Sequence, residues 1–130
     1  MKKGPVLNIA LSQLIASLGH GDMVVIGDAG LPVPPGVPVI DLALTRGIPG
    51  FLQTLNTVLA EMQVESHVLA DELDANNPTI AAAVAALALP SRAGAPHAEF
   101  KRITAGARAV VRTGECTPYA NIILVAGVVF

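Results

Sequence analysis

Leu11, Leu14, Ile15 and Leu18 recur at the i, i+3, i+4, i+7 spacing of one helix face. Asn8 suits an N-cap before them and Gly19 a stop behind them, so a helix is predicted from Asn8 to Leu18. Met23 to Ile26 is apolar without alternation, which predicts a short strand covered on both faces. Leu31 to Pro38 holds four prolines and a glycine. It can be neither helix nor central strand and reads as a stiff loop. Val39 and Ile40 open a second strand that ends near Asp41.

Phe51, Leu52, Leu55, Val58 and Leu59 share one side of a second helix, Phe51 to Leu59. Met62 to Ala70 reads as a third strand, broken in its pattern by Glu61, Glu65 and His67. Asn77-Pro78, a cap followed by proline at the first helical position, starts an Ala-rich helix running to about Leu89. Ser91 to Pro96 reads as a loop or poor strand, and His97 to about Thr104 as a short helix. Ala109 to Val111 and Ile122 to Ala126 are strands on either side of a Gly/Pro turn. Strands alternating with helices predict an α/β fold, a single-domain three-layer α/β/α sandwich over residues 1–130 with a mostly parallel or mixed sheet.

Composition changes this picture in two ways. Aromatics make up 3% of a chain that is 52% apolar, so the core must be aliphatic. No apolar run reaches the ~18–20 residues of a bilayer span, so the surplus of apolar residues points to burial between subunits. The segment after Met1-Lys2-Lys3-Gly4-Pro5 is amphipathic, and no signal peptide is expected. A formal net charge of −2, with eight basic residues scattered along the chain, gives no basic stripe for nucleic acid. Cys116 is the lone cysteine. It fits a reducing compartment and is expected to be an inert buried thiol.

Candidate chemistry gathers around Gly19-His20-Gly21-Asp22 and Asp28-Ala29-Gly30, at the two ends of the first strand. A strand feeding a Gly-rich loop is a usual place for chemistry in an open α/β sheet, though Asp-Ala-Gly is also an ordinary turn. His20 stands in an accessible turn and reads equally as a capping or surface histidine. His97 could simply begin a helix, and His67 reads as a strand residue. Tyr119-Ala120-Asn121 places a phenol and a carboxamide at a loop-to-strand junction, suited to a neutral polyhydroxylated ligand or to a capped turn. Arg112 and Glu115 are expected to pair and hold that loop. No His or Cys spacing of a local metal site occurs, no helix follows the Gly-His-Gly turn to make a phosphate loop, and no Gly-x-Ser-x-Gly elbow is present.

Three stretches together carry a resemblance. Met1-Lys2-Lys3-Gly4 with Leu7-Asn8, Gly19-His20-Gly21-Asp22 with Asp28-Ala29-Gly30-Leu31-Pro32, and Arg112-Thr113-Gly114-Glu115-Cys116-Thr117-Pro118-Tyr119-Ala120-Asn121-Ile122-Ile123-Leu124 resemble the D-ribose pyranase family, related to the fucose mutarotases. The likeness runs over nearly the whole chain and is weakest between Asn76 and Pro96. It implies a cytoplasmic, cofactor-free and metal-free isomerase that supplies the furanose form of D-ribose for phosphorylation. It implies His20 as the catalytic acid, with Asp28, His97, Tyr119, Ala120 and Asn121 contacting the sugar. Ring interconversion needs a proton delivered to the ring oxygen as the anomeric hydroxyl loses one, which suits histidine. The base is open between Asp28, His97 and a water. Two other readings remain, a fucose mutarotase and a non-catalytic sugar-binding protein. The first is disfavoured by Gly30-Leu31 and by Pro118-Tyr119-Ala120-Asn121, where fucose-type members tend to carry a histidine with an aromatic and Lys-Tyr-Gly-Asn.

Spacing adds one expectation. The strand between His20 and Asp28 separates its ends by roughly 10–13 Å at ~3.3 Å per residue, too far for both to touch one sugar unless the Gly-His-Gly turn doubles back. The site is therefore expected between subunits of a homo-oligomer, with His20 and the Tyr119–Asn121 loop from different chains. The resemblance implies a decamer of two pentameric rings.

Overall fold

The computed structural model describes residues 1–130. In chain order the elements are α1 (Ile9–Ser17), β1 (Met23–Gly27), β2 (Val39–Asp41), α2 (Phe51–Leu59), β3 (Val64–Ala70), α3 (Leu73–Asn76), α4 (Pro78–Ala86), β4 (Arg92–Ala95), α5 (His97–Ile103), β5 (Ala109–Arg112) and β6 (Ile122–Ala126). The strands form one sheet in the order β2-β5-β1-β6-β3-β4. The β1–β5, β2–β5 and β3–β4 pairs are parallel, and β6 runs antiparallel to both β1 and β3. Five strands thus point one way around a single reversed strand, the mixed sheet that the pattern predicts.

The two faces of the sheet account for the unbroken apolar run of β1. Val24 and Ile26 join Ala109, Val111, Ile122 and Leu124 in a core packed against α1, α2 and α4. Val25 turns the other way and joins Val110, Ile123 and Phe100 of α5. That second face is closed by Leu31, Val33 and Val37 of the proline-rich loop together with α5. The three layers are therefore unequal, with a single helix and a stiff loop forming one of them. Burying each of Val24, Val25 and Ile26 contributes about 1.5–3 kcal/mol, which holds the loops at both ends of β1 to a rigid strand.

Local signals set most boundaries. The Asn8 side chain accepts from Leu11 N at 3.0 Å and caps α1. Asn77 caps α4 on Ile80 N, with Pro78 at the first helical position. Two boundaries are corrected, one helix has no signal in the sequence, and one open reading is decided. β3 begins at Val64 rather than Met62, because Met62 N still bonds back to Val58 O in the turn that closes α2. α4 ends at Ala86, short of Leu89, because Ala88 adopts a left-handed backbone at φ 51°. The short helix α3 had no apolar period to announce it, since Leu73 is its one buried residue. Of the two readings of Ser91 to Pro96, loop or poor strand, the strand holds, with Arg92–Ala95 paired to β3 along its backbone. Its side chains are mostly exposed, so no apolar pattern marks it.

Candidate functional site

Asp28 follows β1 directly and is held from several sides. Its Oδ1 accepts from Gly30 N at 2.9 Å, which closes the Asp-Ala-Gly turn. Its Oδ2 accepts from Asn121 Nδ2 at 3.0 Å, while its own N donates to Asn121 Oδ1 at 2.8 Å. Asn121 is 1% exposed, so its carboxamide faces Asp28 and not solvent. Gly27 allows this approach, since a Cβ there would lie 2.7 Å from Leu31 Cδ2 and 3.1 Å from Asn121 Oδ1. Ala29 is pinned on both its backbone groups, with its N donating to Glu115 O at 2.8 Å and its O accepting from Arg112 Nε at 3.1 Å. Asp28 to Gly30 and Cys116 to Pro118 line an open cleft of about 420 Å³.

Tyr119 and Asn121 bracket a three-residue turn. Asn121 N donates to Tyr119 O at 2.8 Å, Tyr119 takes a left-handed backbone at φ 58°, and Ala120 is wholly buried at the centre. The Tyr119 ring meets His97 edge-on, with centroids 5.1 Å apart. His97 also stacks on Phe100 at 6.2 Å. Its Nδ1 is buried without a hydrogen-bond partner. A buried polar atom left unpaired costs about 1–3 kcal/mol, so a ligand hydroxyl reaching it would be strongly favoured. His97 is the first residue of α5, where Pro96 offers no capping side chain. The Glu72 carboxylate takes that role, accepting from His97 N at 3.0 Å with both oxygens. Asp28, His97, Tyr119, Ala120 and Asn121 are thus linked by successive contacts at one end of the sheet.

His20 lies at the other end. Gly21 N donates to Ala126 O and Ala126 N to Asp22 O, both at 2.8 Å, so the turn continues along β6 and does not fold back toward Asp28. The five residues of β1 separate the two groups by about 13 Å at ~3.3 Å per step. His20 Nε2 sits 2.7 Å from Glu65 Oε2. A cavity of about 370 Å³ opens beside it, lined by Ile15, Leu18, Met62 and the exposed C-terminal residues Val128 to Phe130. Asp22 anchors the turn. Its carboxyl pKa is held below the ordinary aspartate value, first by the hydrogen bond from Gly19 N and then by Arg108.

Two sequence expectations are overturned nearby. Arg112 and Glu115 do not pair with each other. Arg112 binds Asp41 with distances of 3.0 and 3.1 Å, whereas Glu115 accepts from Phe51 N and Thr117 Oγ1. β2 brings Asp41 level with Arg112 in the ladder, a placement that proximity in sequence does not reveal. Cys116 is exposed, not buried, because it stands in the turn between β5 and β6 where no layer covers it. Its Sγ lies 3.4 Å from Gly114 O. Sequence reasoning also missed Glu72 and Glu65 as partners of the two histidines. The one signal for Glu65 was a charge inside a strand that apolar residues open and close. No three histidine, cysteine or carboxylate side chains converge as metal ligands.

Comparison with known proteins gives a family, two similar relatives and two similar structures. The model of the RbsD / FucU transport protein family matches residues 1–129. D-ribose pyranase of Pseudomonas fluorescens strain Pf-5 is 61% identical over 134 aligned positions, covering 100% of both chains, and D-ribose pyranase of Pseudomonas syringae pv. tomato is 55% identical with the same coverage. The structure of Bacillus subtilis RbsD complexed with D-ribose superposes with a TM-score of 0.97 at 48% identity, each chain covered fully. A fucose mutarotase from Streptococcus pneumoniae in complex with L-fucose shares the fold at a TM-score of 0.81 but only 23% identity.

Proposed function

The chain belongs to the RbsD / FucU transport protein family, and from that premise we propose that it is an isomerase that interconverts the pyranose and furanose ring forms of D-ribose. The observation that carries this reading is full-length identity of 61% to a D-ribose pyranase. The enzyme acts as one domain over residues 1–130, in the cytoplasm, where it supplies furanose for phosphorylation. No helix is long and apolar enough to cross a membrane.

The reaction breaks and remakes a hemiacetal. His20 as imidazolium gives a proton to the ring oxygen. The anomeric hydroxyl gives its proton to a base, Asp28, His97 or a water, the bond from the anomeric carbon to the ring oxygen breaks, and an open-chain aldehyde remains. After rotation a different hydroxyl attacks the carbonyl carbon, and the proton transfers run in reverse. Asp28 accepts hydrogen bonds from sugar hydroxyls through lone pairs that Gly30 and Asn121 leave free. His97 Nδ1 supplies a further polar contact. Tyr119 flanks it, and Ala120 and Asn121 hold the loop in place. No cofactor or metal enters these steps.

The separation of His20 from the Asp28 cluster supports a site shared between subunits of a homo-oligomer, assembled as a decamer of two pentameric rings. The exposed apolar residues Val128, Val129 and Phe130 beside His20 support burial of that face against a second copy. In each site, His20 comes from one chain and the Tyr119–Asn121 loop from its neighbour.

Saturation-transfer NMR on ribose tests the reading. The protein accelerates exchange between pyranose and furanose signals, and His20→Ala loses at least ~10²-fold of that rate with a smaller change in ribose affinity. His20→Gln, which keeps hydrogen bonding without titration, is equally impaired. Acceleration confined to fucose anomers would make the protein a mutarotase. Full activity in His20→Ala would remove His20 from the mechanism, and no acceleration with retained ribose binding would make this a sugar-binding protein.

A further inference from the structure

We propose that Glu65 is the positioning residue for His20, fixing the imidazole so that Nδ1 is the nitrogen that exchanges a proton with the sugar. The inference rests on the proposed role of His20 and deepens it.

Two independent observations meet at Glu65. The first is the contact, Nε2 to Oε2 at 2.7 Å, between side chains 45 residues apart. A carboxylate can only accept, so Nε2 carries the hydrogen and the ring is held in one tautomer. Nδ1 has no partner within the chain, and it is the nitrogen left free for a ligand. The second is a defect in the sheet. β3 pairs with β6 as Val64 with Ala126 and then Ser66 with Val125, so Glu65 is an extra residue that the ladder skips. Such a bulge bends its strand and re-aims a side chain, and bulges are frequent beside active sites. Here it falls at the end of β6 to which the Gly19–Asp22 turn is bonded through Ala126. Gly127 leaves room for it, since a Cβ there would lie 3.1 Å from Glu65 Cβ.

Stability does not account for this arrangement. Within the single chain the two side chains keep 64% and 42% of their surface exposed, and an ion pair so open to water adds little to folding of that chain. What the pair does provide is a single orientation for a ring that would otherwise rotate freely in a Gly-flanked turn. The other charged groups near His20 are already engaged, Asp22 by Gly19 and Arg108, and Glu61 by Val6 and Lys2. Glu65 is the carboxylate that serves the imidazole.

The experiment reads tautomer and rate on the assembled protein. Long-range ¹H–¹⁵N correlation spectra of His-labelled protein, with the His20 signals assigned through His20→Ala, report which ring nitrogen carries hydrogen. In the wild type, neutral His20 is the Nε2–H form. In Glu65→Ala the tautomers mix, and the saturating ribose exchange rate falls roughly tenfold while KM changes little. Glu65→Gln, whose amide oxygen can still accept from Nε2–H, restores the wild-type tautomer and most of the rate. A wild-type rate in Glu65→Ala would overturn the proposal, as would a slowed rate with unchanged tautomers. If His20→Ala itself is fully active, the role of His20 fails and this inference with it. An inactive His20→Ala beside a fully active Glu65→Ala fails the inference alone.

Discussion

Asn121 and Asp28, 93 residues apart, are joined by two reciprocal hydrogen bonds of 2.8 and 3.0 Å, one through the backbone of Asp28 and one through its carboxylate. The carboxamide engages both at once, its oxygen accepting from the first and its nitrogen donating to the second. Asn121→Ala leaves Asp28 N without that acceptor and is expected to destabilise the fold by about 1–3 kcal/mol. Asn121→Asp keeps the shape but sets a second carboxylate against Asp28, and is expected to lower the ribose exchange rate further than Asn121→Ala. Urea unfolding and saturation-transfer NMR on the two variants check both statements.

Gly114 is the tightest backbone crossing near the cleft. A Cβ there would lie 2.5 Å from Thr45 O and 2.6–2.7 Å from Ile48 O and N. These are main-chain atoms, held in the turn by Gly47 N to Gly114 O and Gly114 N to Pro49 O. They cannot swing aside as a side chain would. Gly114→Ala is expected to cost about 1–3 kcal/mol or more and to displace the Arg112–Cys116 loop. Thermal unfolding measures the first effect, and weakened ribose binding the second.

Acid should loosen the scaffold through three carboxylates. Asp41 and Glu61 have pKa values lowered mainly by backbone donors, Ala43 N and Val6 N, with Arg112 and Lys2 adding to the effect, and Asp22 is lowered in the same direction. A carboxylate with a depressed folded pKa stabilises fully above its unfolded value, about 3.9–4.3. That contribution is lost as pH falls through the folded value. Denaturant midpoints are therefore expected to be flat in these terms from pH 7 to about 5 and to drop below about pH 4. Asp22→Asn, which no longer titrates, is expected to show a shallower drop.

Shared sites make a prediction about mixtures. His20→Ala and Asp28→Ala are each expected to be inactive alone. Co-assembled, they pair an intact His20 face with an intact Asp28 face in some interfaces and are expected to restore partial ribose exchange. Native mass spectrometry confirms that mixed oligomers form. Mixed oligomers that stay inactive would place both groups in one chain's site.

Short-range pattern was enough for the elements whose instructions are local. The α1 face from Leu11 to Leu18, the unbroken β1 run, the Asn77-Pro78 start of α4 and the stiff Leu31–Pro38 loop could all be read from neighbours in the chain. So could the distance that β1 imposes between His20 and Asp28, because a strand has a fixed rise per residue. Pairings across the sheet could not be read that way. Arg112 chose Asp41 over nearby Glu115 because β2 and β5 are parallel neighbours, and Cys116 is exposed because its turn lies outside both outer layers. His97 is capped by Glu72 and His20 is held by Glu65 through contacts 25 and 45 residues apart in sequence. The bulge at Glu65 is a property of register between two strands, and register exists only once both strands are placed. The residue types of the site are thus a local matter, while the partners that orient them follow from how the whole chain packs.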